Sequence, residues 1–475
     1  MTKLAENKGD GVSTRATVVH LVVTRRFVGY PSGAATIAAA MRQAGVDTDL
    51  RDYLLAPGDL LDFDGFAAFL DGAGDPVWFC CGPEALPFLV LALPAARRRH
   101  PHTRFIVGER VPLLPKSAGP TAVAEELLRL CPDLDGVALG ESDLTAAELA
   151  ASLPALAPIA GLVWREDGTL RSGPPRPRAE VVPEYPGWTP SGAGLRPYRE
   201  MYRMEDALHF PIAASRGCVY RCAFCSAAPS WDRRQVRRPV LAVADEMERL
   251  YRDAGQSHFG FMDETFVLDR SWTLQFCEEI IRRRLPVRWR ATGRVNLVDR
   301  GLLEAMAAAG CEAVELGVES GSDRVLDLIE KGIDTTAALA SARLAGEIIG
   351  EVACNFMWGF PFETVLDLAQ TLLVMDAMDA MPGVGVRLSF LQPFRPSRLY
   401  DEYRDNLRFD RFWHRLAPQH PTMERIFDLA KAHPHTFSGF CFLDHPALEE
   451  KLAVLQRADL DEEVTANGLT ASYYR

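Results

Sequence analysis

From residue 17 onward the chain alternates short apolar runs with longer stretches whose apolar positions recur at helical spacing. Residues 17–23, 48–52, 76–80, 104–107 and 136–139 predict strands, and residues 34–44, 86–98 and 121–130 predict the helices between them. Strands alternating with helices of this size predict a doubly wound α/β sheet, a fold that takes its ligands outside the carboxyl ends of the strands. Residues 1–14 are polar and read as a disordered lead-in, with no signal-peptide pattern.

The Pro- and Gly-rich stretch 173–205 reads as a linker between this first unit, 15–172, and a second one. Over 206–392 the alternation returns. Residues 209–214, 258–262, 287–292, 313–317, 352–358 and 384–390 predict strands, and residues 240–254, 272–284, 302–309, 335–349 and 365–378 predict helices. Six β/α units of this kind form either an open parallel sheet or a partial barrel, and a parallel barrel carries its chemistry at the C-terminal ends of its strands. Residues 393–475 read as a helical C-terminal region rich in aromatics and His.

Composition narrows the function classes. The chain has 475 residues, a 48% hydrophobic content and a formal net charge of −12, which argues against a nucleic acid as partner. Basic runs at Arg97–Arg99, Arg233-Arg234 with Arg237-Arg238, and Arg282–Arg284 read mostly as solvated helix ends, the run after residue 225 being the one placed to hold an anionic group. No apolar stretch reaches the ~18 residues of a membrane span, so a cytoplasmic protein with no membrane partner is expected.

The strongest chemical signal is Ser215-Arg216-Gly217-Cys218-Val219-Tyr220-Arg221-Cys222-Ala223-Phe224-Cys225, three thiols spaced C-x₃-C-x₂-C. Thiols this close on one loop can wrap a single metal centre, and thiolates select zinc or iron–sulfur clusters. A zinc site would need a second Cys or His pair further on, and none follows. A [4Fe-4S] cluster held by three cysteines leaves one iron open to a ligand. The other cysteines, Cys80, Cys81, Cys131, Cys277, Cys311, Cys354 and Cys441, are scattered and read as buried small apolar residues.

With an aromatic residue before its last cysteine, this run resembles the signature of the radical S-adenosylmethionine (SAM) superfamily. The resemblance implies a partial (β/α)6 barrel in which the open iron binds SAM and one electron, from a donor such as flavodoxin or ferredoxin, yields a 5′-deoxyadenosyl radical. Phe261–Phe266, Gly317–Ser322 and Gly359–Thr364 resemble motifs of the branch that pairs the barrel with a cobalamin-binding domain, with Phe362 where a glycine is usual. On that resemblance Cys218, Cys222 and Cys225 hold the cluster, Glu319 and Ser320 contact SAM, Asp263, Glu264 and Arg294 lie near its methionine end or the substrate, and Phe224 offers a backbone group to the adenine.

Residues 17–150 resemble that branch's Rossmann-like cobalamin-binding domain. Tyr30, Pro31, Ser32, Gly82, Gly108, Glu109, Gly140 and Glu141 occupy the matching strand ends and loops and are the expected cobalamin contacts. Glu109 stands where a glycine is common, Ser142-Asp143 replaces Gly-Glu, and no Asp-x-His-x-x-Gly motif supplies a histidine below the cobalt. The implied activity is transfer of a methyl group from SAM, by way of cobalamin, to an unactivated carbon or phosphorus of a small-molecule substrate. A cobalamin-bearing cyclase or rearrangement enzyme and a non-catalytic cobalamin or iron–sulfur sensor remain alternatives. A methylthiotransferase fits less well, since adjacent Cys80 and Cys81 with Cys131 make poor geometry for a second cluster.

Overall fold

In the computed structural model, which describes residues 15–23, 29–108, 121–153, 158–185, 187, 192–202, 209–409 and 420–457, the five N-terminal strands form one parallel sheet. They are β1 (Arg15–Leu21), β2 (Asp47–Asp52), β3 (Val77–Cys81), β4 (Phe105–Val107) and β5 (Gly136–Ala138). Their order is β2-β1-β3-β4-β5, the doubly wound arrangement whose direction of winding reverses between β1 and β3. Helices cover both faces, which is why β3 is buried at every position: Val77 and Phe79 enter one core, Trp78 and Cys80 the other.

The sheet continues where the sequence pattern is silent. β6 (Leu162–Glu166) pairs antiparallel with β5, and β7 (Thr169–Ser172) closes a hairpin onto β6. The stretch read as linker contains the helix Gly192–Tyr202, whose Leu195 and Tyr198 are buried in the core of the second unit. Pro197 inside that helix hides it from a reading that takes Pro and Gly as loop signals.

The second unit is a six-stranded parallel sheet of β8 (Phe210–Ile212), β11 (His258–Phe261), β12 (Arg288–Arg294), β13 (Cys311–Glu319), β14 (Val352–Trp358) and β15 (Val384–Phe390), in that spatial order. β8 and β15 are its two edges, so it is a partial barrel. Between β8 and β11 the short strands β9 (Ser215–Arg216) and β10 (Val236–Arg237) pair antiparallel and close the loop that carries the three thiols. The β13–β14 register shifts between Gly317 and Glu319, where Glu319 takes a left-handed φ of 77°. Such a bulge re-aims the side chain that follows it, and here it turns Glu319 toward the barrel's mouth.

The C-terminal region ties the two units together. Its helix Pro421–Ala432 buries Ile426, Phe427 and Ala430 in the core of the N-terminal sheet. A ribbon of β16 (Leu407–Phe409) and β17 (Cys441–Leu443) then leads to the helix Leu448–Arg457. That helix sends Lys451 to the barrel, where it donates to Glu363 Oε2 at 2.9 Å and to the Phe360 carbonyl at 3.2 Å. Both side chains of this ion pair are fully buried, and removing one partner of such a pair strands the other's charge at a cost of about 3–5 kcal/mol. Lys451→Met is therefore expected to lower stability by about that much in chemical denaturation, and Glu363→Gln with Lys451→Met to recover most of it.

Candidate active site at the mouth of the partial barrel

The thiol loop has few backbone hydrogen bonds of its own, the Cys225 N–H to the Cys222 carbonyl being one, so its position is set from outside. Asp263, just past β11, accepts from the Ala214 N–H at 3.0 Å and from the Ser215 hydroxyl. Glu264 Oε2 accepts from the Gly217 N–H at 2.9 Å. Burial pushes the Asp263 carboxyl up to about 6 against the pull of its two donors. Gln235 donates to Ser215 Oγ and to the Thr265 carbonyl, and the Ala223 N–H donates to the Ile329 carbonyl at 2.8 Å.

Inside the loop the thiols face a cavity of about 240 Å³. Its wall includes Cys218, Cys222 and Cys225, with Phe224, Glu264, Arg294 and Glu319 from the set expected on sequence. Arg294 Nη1 donates to Cys222 Sγ at 3.4 Å while its guanidinium lies 3.8 Å from the Tyr220 ring centroid. Thr265 Oγ1 is 3.7 Å from Cys218 Sγ. The Arg294 donor aimed at Cys222 suits a thiolate, the charged form in which cysteine ligates a metal.

Two expected SAM contacts stand elsewhere. Asp263 lies behind the loop as its anchor, and the buried Ser320 hydroxyl shares a hydrogen bond with Thr371 at 3.2 Å and accepts from the Ser322 N–H, so neither lines the cavity. Other residues that line it carry no sequence motif. Lys331 pairs with Glu319 at 2.7 Å, both buried. Glu315 and Asn355 form part of the wall, burial raises the Glu315 carboxyl, and Arg387 lies 3.5 Å from it. The strand period of two puts Glu315 and Gly317 on one face and the bulge brings Glu319 to the same cavity wall, a signal legible only once β13 is known to line a lumen.

The expected cobalamin contacts fall at the carboxyl ends of the N-terminal strands, with different roles. Gly108 follows β4; a Cβ there would lie 2.7 Å from Ala138 Cβ and 2.8 Å from Trp78 Cζ2, so only glycine fits. Gly82 follows β3, with the Glu84 carboxyl against it. Gly140 takes φ 83° in the turn after β5. Tyr30 packs on Phe210 and Tyr198 of the other unit, with ring centroids 5.1 and 5.6 Å away. Pro31 and Ser32 open the helix Ser32–Gln43. Glu141 is committed at both oxygens, to Arg216 at 2.9 Å and to the Ala179 N–H at 2.7 Å. Glu109 lies outside the described residues. Sequence reasoning did not single out His20, which meets Asp52 at 2.9 Å near the end of β1, while Tyr198 donates to the other Asp52 oxygen at 2.7 Å.

Residues 212–375 match the Radical SAM superfamily. An uncharacterized methyltransferase of Pyrococcus horikoshii is 30% identical over 308 residues, covering 64% of this chain and 66% of that protein. An anaerobic magnesium-protoporphyrin IX monomethyl ester cyclase of Cereibacter sphaeroides is 32% identical over 197 residues, 41% of this chain and 32% of that protein. The chain thus spans less than two thirds of either curated relative. The radical S-adenosylmethionine methyltransferase TsrM from Kitasatospora setae, solved with cobalamin and a [4Fe-4S] cluster bound, superposes with a TM-score of 0.69 at 17% identity over 92% of this chain and 85% of that one. The barrel is a radical SAM domain, and the chain as a whole has the fold of a cobalamin-bound member of that superfamily.

Gly217 takes φ 93°, and a Cβ there would lie 2.1 Å from the Arg234 carbonyl oxygen. Gly217→Ala is therefore expected to force the loop off its anchors at a cost of about 1–3 kcal/mol. Anaerobic iron loading of the variant should fall far below that of the parent, and equal loading would show that the loop tolerates the shift.

Proposed function

We propose that this protein is a cobalamin-dependent radical SAM methyltransferase acting on an unactivated carbon or phosphorus of a small molecule. The observation that carries the reading is the cavity enclosed by Cys218, Cys222 and Cys225 together with Glu264, Arg294 and Glu319: soft ligands on one wall, fixed charges of both signs on the others. That donor set fits a [4Fe-4S] cluster with SAM, a zwitterion that needs a cationic partner for its carboxylate and acidic or carbonyl partners for its ammonium. When bound, the cluster and SAM supply a carbon-centred radical and cobalamin a transferable methyl group.

The chain's own residues do the positioning. Glu264 holds Gly217 and with it the start of the thiol loop. Arg294 steadies Cys222 and leaves its charge at the cavity wall. Lys331 holds Glu319 in place at the cavity wall through their buried 2.7 Å ion pair. Phe224 forms part of the cavity wall and packs on Phe360 behind it, with ring centroids 6.2 Å apart. The ends of β1, β3, β4 and β5, with a close-fitting glycine at 108, are where cobalamin would lie against this mouth. A one-electron donor such as flavodoxin or ferredoxin completes the system.

The cyclase relative keeps a second reading in play, and the methyl balance separates the two. With methyl-deuterated SAM and a turned-over substrate, label should enter the product while S-adenosylhomocysteine and 5′-deoxyadenosine accumulate in comparable amounts. Deoxyadenosine with an unlabelled product would contradict methyl transfer and favour cyclisation. Hydroxocobalamin should remain with the protein through desalting at about one per chain, the count for a single site; complete loss would contradict the assignment of the N-terminal unit.

A further inference from the structure

We infer that Arg216 is a positioning residue that couples the thiol loop to the ligand edge of the N-terminal unit. The inference rests on the reading of that loop as a cluster loop. Arg216 is 3% exposed and reaches across the domain boundary to two carboxylates at the start of the helix Ser142–Ser152 that follows β5. Its Nη1 meets Glu141 Oε1 at 2.9 Å and its Nη2 meets Asp143 Oδ2 at 2.8 Å, with Glu141 1% and Asp143 0% exposed. Burial alone would lower the Arg216 pKa; the two carboxylates outweigh it and hold the group above its ordinary value.

The placement gives this triad a role beyond bracing. Arg216 stands between Ser215 and Gly217, which are held by Asp263 and Glu264 at the end of β11, and Cys218 follows directly. On the other side, Glu141 also takes the Ala179 N–H of the chain leaving β7. The turn after β5 lies at the carboxyl end of the N-terminal sheet, where that fold takes its ligands. One guanidinium thus joins the base of the thiol loop to the edge of the other ligand site. A displacement of the turn at 140–143 is delivered to the residue two positions before the first thiol.

Charge bookkeeping defines the test. Arg216→Met leaves two carboxylates buried without a cation, which is strongly destabilising, whereas removing all three charges together is tolerated far better. The variant R216M with E141Q and D143N is therefore compared with the parent by hydrogen exchange of iron-free protein and by the electron paramagnetic resonance spectrum of the reduced, iron-loaded form. Expected is normal protection of β11–β15 and normal iron content. Amides of 213–222 should exchange about tenfold faster, the signature of local rather than global opening, and the line shape should change.

E141Q with D143N, which alters only the other unit, should change the spectrum in the same direction, and Arg216→Lys should fall between. Unchanged exchange and an unchanged spectrum in the charge-free variant would overturn the inference. Loss of protection throughout the barrel would overturn it too, because Arg216 would then be a general brace. Failure of the parent itself to hold iron would contradict the cluster reading, and the exchange comparison would still decide the coupling.

Discussion

The anchoring of the thiol loop by two adjacent carboxylates, Asp263 and Glu264, is the constraint on which the rest of the site depends. This loop makes few backbone hydrogen bonds of its own. Its position therefore comes from hydrogen bonds made at its base. Charge-assisted bonds of that kind are each worth about 1.5–3 kcal/mol, and both originate from consecutive residues at one strand end. The parallel barrel makes this possible, because every strand delivers its terminal polar residues to one rim. Glu264, Arg294 and Glu319 reach the cavity from β11, β12 and β13 in turn.

Around this rim the chain builds an enclosure from three directions. The N-terminal sheet presents its strand ends and locks onto Arg216 through Glu141 and Asp143. Tyr198 in the connecting helix reaches back to Asp52. The C-terminal region packs one helix on the N-terminal core and pins Lys451 under the turn of Phe360 and Glu363, which faces Phe224 through Phe360. Buried charge is costly unless paired. Placing two buried ion pairs and one tyrosine hydrogen bond at these boundaries ties the two units and the C-terminal region to one arrangement.

Much of this was legible in the sequence because it depends on period and local spacing. Parallel strands buried on both faces read as apolar runs, as at residues 76–80, and the C-x₃-C-x₂-C spacing carries its chemistry in eleven residues from Ser215 to Cys225. What was not legible depends on long-range pairing. Lys331 has no motif and gains meaning only from Glu319, and Lys451 only from Glu363. Glu141, expected to face a ligand, faces Arg216 instead, since nothing local distinguishes a strand-end carboxylate that meets solvent from one that meets another domain. Asp263 and Ser320 stand just past strands that the apolar runs predict, but the direction of each side chain is decided by neighbours, Ser215 and Thr371, that come from elsewhere in the chain. The Pro- and Gly-rich stretch hid a helix because Pro197 is accommodated within it.

The most direct test of the account is iron content together with reductive SAM cleavage, on anaerobically reconstituted protein and on the variant with alanine at Cys218, Cys222 and Cys225. The account predicts about four irons per chain, the content of one cubane cluster, and formation of 5′-deoxyadenosine with a low-potential reductant, both lost in the variant. Retention of iron without the three thiols, zinc in place of iron, or iron-loaded protein that leaves SAM intact would contradict it.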